Sequence, residues 1–117
     1  MIALLLAALT IARVLAGEVG VLGPDAALLV ATTMQARVQD GRFGATLTEV
    51  LADGYYADAP ATAESQALAW ALVTGHLPAG PWLYAYSDAD VRRMGWGVGD
   101  VVLRRGELAL HLAREAP

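Results

Sequence analysis

Helix-breaking residues divide this chain into two unlike parts at His76. Before it, Gly17, Pro24, Gly41, Gly54, Pro60 and Gly75 leave runs long enough for helices. Beyond it, Pro78, Gly80 and Pro81 stop any helix, and Trp82-Leu83-Tyr84-Ala85-Tyr86 alternates bulky and smaller side chains as a strand does. The pattern predicts an α+β domain, a helical body with a small β appendage. At 117 residues and 12.2 kDa, residues 1–117 fit one domain with one core.

The helical runs carry their own punctuation. An Ala- and Leu-rich segment from residue 3 is apolar at nearly every helical angle, which predicts an enclosed first helix ending near Gly17. Pro24 at a first helical position and Asp25 in the first turn open a second helix that stops at Asp40-Gly41. Thr46-Leu47-Thr48-Glu49 reads as a capping box for a short helix to Asp53, with Gly54 as its left-handed cap. A fourth helix is expected from Thr62 to Thr74. In the last third, Ser87 caps a turn of helix over 88–94 closed by Gly95, Trp96 to Gly99 is a glycine-spaced loop, and a hairpin closes the chain. Its strands, Val101–Arg104 and Glu107–Leu112, flank an Arg105-Gly106 turn, and Leu108, Leu110 and Leu112 share the face that packs on the helices.

Composition removes several classes of function. A hydrophobic fraction of 56% and mean hydropathy of +0.45 exclude a disordered chain. No unbroken apolar run reaches the roughly 18 residues of a membrane span, so none is expected. Eight basic against twelve acidic residues give a net charge of −4, which leaves no electrostatic footprint for nucleic acid. Without cysteine there is neither a disulfide nor a thiolate metal site, and His76 and His111 lie far apart, so no metal or organic cofactor is expected. The apolar run Ile2 to Leu9 is compatible with a secretion signal, but it has no basic start and Arg13 follows it; a buried first helix is the expectation.

Glu18 stands out, a carboxylate at the end of a very apolar helix and followed by Val19-Gly20-Val21-Leu22. Burial beside apolar side chains raises a carboxyl's proton affinity, the condition a general acid needs to protonate a glycosidic oxygen. The plainer alternative is a solvated Glu at a helix end, or a partner of Arg37.

Ala12-Arg13, Gly17-Glu18, Arg37-Val38, Gly41-Arg42-Phe43, Thr46, Glu49-Val50-Leu51, Gly54-Tyr55-Tyr56, Pro78, Gly80 and Leu83-Tyr84-Ala85-Tyr86 occur in an order and spacing that resemble cell-wall hydrolases of the spore-cortex-lytic (SleB-like) family. The resemblance spans roughly residues 9 to 86 and is carried by short pieces. It implies a lysozyme-like helical domain, similar to lytic transglycosylases, that cleaves peptidoglycan glycan strands with Glu18 as the catalytic acid. The chain departs from the family pattern at Leu22, where a second acid is usual, at Gly54-Tyr55-Tyr56 in place of Gly-Gln-Phe, and at Ala36 in place of Asn.

Paired-carboxylate glycosidases need a second acid about 5 to 10 Å from the first. Asp53 and Asp58 are weak candidates, better suited to a helix end and a turn. A lytic transglycosylase needs only one carboxyl, which serves first as acid and then as base. Sugar rings present apolar faces with polar rims, so aromatic side chains with a polar edge suit them. Tyr55, Tyr56, Tyr84 and Tyr86 are therefore the candidate substrate-binding residues, while Trp70 and Trp96 are assigned to packing and Ser65 and Gln66 to cap and surface roles. The expected partner is the peptidoglycan glycan strand, which implies a cell-wall, extracytoplasmic or virion-associated location. The competing expectation is a non-catalytic structural or wall-binding module, a bacteriophage or envelope component that kept the fold without turnover.

Overall fold

The computed structural model describes residues 2–55 and 57–117. Helix α1 (Ile2–Val19) leads through a short 3-10 turn (Gly20–Leu22) into α2 (Pro24–Asp40), followed by α3 (Leu47–Ala52) and α4 (Ala63–Val73). Strand β1 (Tyr84–Ser87) runs into α5 (Asp88–Met94), and β2 (Val101–Arg105) and β3 (Leu108–Ala113) end the fold. The strands form one antiparallel sheet in the order β1-β3-β2. The architecture is α+β.

Most boundaries follow from local chemistry. Gly41 closes α2 at φ +87°, and its N–H donates to the Arg37 carbonyl. Thr46 accepts from the Glu49 N–H, while the Glu49 carboxylate reaches past the cap to the Ala45 N–H at 2.7 Å. Thr62 and Ser65 cap α4 reciprocally, so Ser65 is a cap and is buried.

Three expectations need correction. The first helix is not enclosed along its length. Ile11, Ala12, Val14, Leu15 and Val19 are buried, but Ile2, Leu4, Leu5, Leu6 and Leu9 are exposed, Ile2 at 74%. An apolar periphery all round a helix describes its composition and does not say which of its residues find packing partners. By length and composition alone α1, with 18 residues and a mean hydropathy of 2.0, satisfies the requirement of a membrane-crossing helix. Second, α1 passes through Gly17 and ends two residues later at Val19; Gly17 serves a close approach described below. Third, Arg105 pairs with Leu108, so the hairpin turn is Gly106-Glu107, one residue later than the sequence suggested; Gly106 takes the positive φ of +62°.

The core joins α1, α2 and α4 to the sheet. Ile11, Leu15, Val30, Met34 and Leu112 are essentially inaccessible. As the central strand, β3 is covered on both faces: Leu110 and Leu112 enter this core, while His111 is buried on the opposite side, against Tyr86 and Asp88. Leu108, at the strand's start, is exposed. The segment before β1 is fixed on α2 by Gly80, whose N–H donates to the Thr32 carbonyl at 3.1 Å. A side chain at Gly80 would meet Thr32 Oγ1 at 2.8 Å.

Leu110→Asp places an unpaired charge in this core, a change that costs several kcal/mol. It is expected to unfold or aggregate the protein, read by thermal melting and size-exclusion chromatography. A soluble variant with an unaltered melting temperature would show that β3 is peripheral to stability.

Candidate functional site

Glu18 emerges from the last turn of α1 into a cavity of about 510 Å³, within the range of small-molecule sites. Its placement depends on Gly17. A Cβ there would lie 2.7 Å from the Asp58 backbone nitrogen and 2.8 Å from Ala57 Cβ. The missing side chain lets the segment around Ala57 lie directly on the helix. The segment is pinned by two further contacts: the Ala59 N–H donates to the Arg13 carbonyl at 3.2 Å, and the Arg13 guanidinium pairs with Asp58 at 2.7 Å.

This arrangement leaves Glu18 partly buried, and desolvation raises its proton affinity above the ordinary carboxyl range. The Ala57 backbone amide, donating to the carboxylate, opposes the shift, and the negative charge of Asp90 adds to it.

Arg37 does not pair with Glu18. This buried guanidinium donates through Nε to the Leu83 carbonyl at 2.6 Å and through Nη1 to the Asp53 carbonyl at 3.3 Å. The rings of Phe43, Tyr84 and Tyr55 surround it at 4.1, 5.1 and 5.4 Å from their centroids. One cation thereby ties α2, the end of α3 and the entry to β1 into a single cavity wall.

The proposed site residues have different surroundings. Tyr55, Tyr84 and Tyr86 line the cavity with Glu18. Tyr55 also packs on the core, and burial pushes its hydroxyl up to about 12. Tyr86 is a wall: its ring stacks on His111 with centroids 5.3 Å apart, and its hydroxyl donates to the Gly97 carbonyl at 2.8 Å. Tyr84 meets Phe43 edge to face at 5.5 Å. Tyr56 lies outside the described residues. Asp53 borders the cavity, whereas Asp58 is engaged by Arg13.

Asp90 and Trp96 are among the cavity residues that the sequence did not point to. Asp90, the third residue of α5, faces the same cavity as Glu18 and is held by the Ser87 N–H at 3.2 Å, the Ser87 hydroxyl at 3.1 Å and Arg93 at 2.7 Å. The Ser87-x-x-Asp90 spacing announces a capping box, but nothing local says that this helix start shares a cavity with the end of α1. Trp96 also lines the cavity and is absent from the core to which packing would have assigned it. Trp70, likewise assigned to packing, is 40% exposed on α4. A second hollow of about 660 Å³ lies beyond Tyr86, between Trp82 and the chain end. Among the described residues, no three His, Asp or Glu side chains converge as a metal site would require.

No family model, no curated protein and no solved structure matches this chain.

Because folding raises the proton affinity of Glu18, the native state binds more protons than the unfolded state just above the ordinary value of 4.5, and stability falls as pH rises through that window. Glu18→Gln removes this cost while keeping an acceptor for the Ala57 amide. The variant is expected to melt above the parent at neutral pH, with the gap closing as pH falls toward 4.5. A difference independent of pH would contradict the burial argument.

Proposed function

We propose that this chain cleaves the glycan strand of peptidoglycan as a lytic transglycosylase, with Glu18 as its single acid/base. The observation that supports the reading most is a carboxyl whose proton affinity is raised by burial, set in an aromatic-lined cavity large enough for a sugar ring. The resemblance of Gly17-Glu18, Arg37-Val38 and Gly41-Arg42-Phe43 to the spore-cortex-lytic family supplies the substrate class and the lysozyme-like character of the domain.

In the proposed reaction, protonated Glu18 delivers its proton to the glycosidic oxygen that joins muramic acid C1 to the next sugar. The C1–O bond breaks, the leaving sugar departs as an alcohol, and positive charge develops at C1. Glu18, now a carboxylate, accepts the proton of the muramic acid's 6-hydroxyl as that oxygen bonds to C1. The product is a 1,6-anhydro sugar, no water is consumed, and Glu18 returns to its acid form.

Asp90 has an electrostatic part in this scheme. Three donors keep it engaged at the start of α5, and its charge favours the protonated form of Glu18. Tyr84 and Tyr86 form the wall against which the sugar rests. Tyr55 closes the cavity floor next to Arg37.

Incubation with purified sacculi and mass spectrometry of the soluble fragments tests the reading. Fragments are expected to end in 1,6-anhydro-muramic acid, one water lighter than hydrolytic products. Glu18→Gln is expected to lower the rate by about 10² to 10⁴, the range general acid/base catalysis supplies. Asp53→Asn and Asp58→Asn are expected to retain substantial activity. Reducing-end products with loss of activity in either aspartate variant would establish paired-carboxylate hydrolysis instead. A folded parent that releases nothing would favour the non-catalytic wall-binding module.

A further inference from the structure

We infer that Trp96 is a sugar-stacking platform of the Glu18 cavity, holding an N-acetylhexosamine unit of the glycan strand; this rests on the glycan reading above. Trp96 shares the cavity with Glu18 and lies outside the apolar core. Its contact with Tyr86 is edge to face, with centroids 5.4 Å apart and planes at 84°. In such a pair Tyr86 covers at most one face of the indole, and Trp96 is only half-buried.

The loop that carries Trp96 is held more firmly than its glycines suggest. The Tyr86 hydroxyl donates to the Gly97 carbonyl at 2.8 Å, and the Gly99 N–H donates to His111 Nδ1 at 3.1 Å. With Nδ1 accepting, the buried imidazole carries its proton on Nε2 and donates it to Asp88. A side chain at Gly99 would lie 2.8 Å from both backbone polar atoms of Leu112, so only glycine permits the loop to lie this close to β3. An indole fixed in advance loses little freedom when a ring stacks on it. Asp90 and Arg93, on the same cavity, provide an acceptor and donors for the hydroxyl and acetamido groups at the rim of such a ring.

The probe is tetra-N-acetylchitotetraose, an oligomer of N-acetylglucosamine, titrated into the Glu18→Gln protein so that nothing is cleaved. Binding is followed by calorimetry and by tryptophan emission. The oligomer is expected to shift the emission. Trp96→Ala is expected to weaken binding at least about tenfold, as loss of an anchoring aromatic does. Trp96→Phe, the conservative variant, should bind with intermediate affinity and without the emission shift, while Trp70→Phe retains both; circular dichroism checks the fold of each. Unchanged affinity in folded Trp96→Ala or Trp96→Phe overturns the inference, as does an emission shift that follows Trp70. A parent that digests sacculi while Trp96→Ala binds normally rejects the platform alone. Binding through Trp96 by a parent that leaves sacculi intact upholds the platform and rejects the acid/base reading. A Glu18→Gln protein that binds no oligomer overturns the inference outright.

Discussion

The approach of residues 57–59 to the last turns of α1 is the contact on which the candidate site depends. It exists because Gly17 has no side chain: any Cβ would meet the Asp58 nitrogen at 2.7 Å. Arg13 secures the same segment twice, through its carbonyl to the Ala59 N–H and through its guanidinium to Asp58. The exposed ion pair adds little stability in water, so the backbone hydrogen bond and close packing dominate. Their consequence is electrostatic. A glutamate that would otherwise end a helix in solvent is partly desolvated and favours its protonated form.

Arg37 organises the opposite wall. A buried guanidinium is costly unless its donors are used, and here two backbone carbonyls and three aromatic faces receive it. The carbonyls belong to Asp53 and Leu83, which are 30 residues apart, so this side chain sets the distance between the end of α3 and the entry to β1. A lysine lacks the planar fork whose separate nitrogens here reach the two carbonyls while the plane lies against the rings. The cavity thus combines an acid made less polar on one side with a cation fixed on the other.

Much of this was legible in the sequence wherever the governing interaction is local. Pro24, Gly41, Ser87 and Gly95 mark element ends because caps involve residues within one turn. Glu18 was also legible as a charge placed against an apolar helix. What escaped depends on long-range placement. The exposed first half of α1 is at least as apolar as the more buried second half, so composition gives no sign of which half is covered. Asp90 is announced as a capping residue, but its nearness to Glu18 arises from the β1 to α5 connection. Trp96 reads as packing because a single large aromatic carries no sign of which wall it faces. The hairpin turn moved by one residue since both Arg105-Gly106 and Gly106-Glu107 place glycine where positive φ is needed, and cross-strand pairing decides between them.

The central claim is that packing at Gly17 desolvates Glu18 and raises its proton affinity. Carbon-13 NMR titration of the Glu18 side-chain carboxyl measures that affinity directly, in the parent and in Gly17→Ala. The account predicts a midpoint above the ordinary 4.5 in the parent and a return toward it in Gly17→Ala, where the added methyl displaces the Ala57 segment and admits water. A parent midpoint at or below 4.5, or an elevated midpoint unchanged in Gly17→Ala, would contradict it.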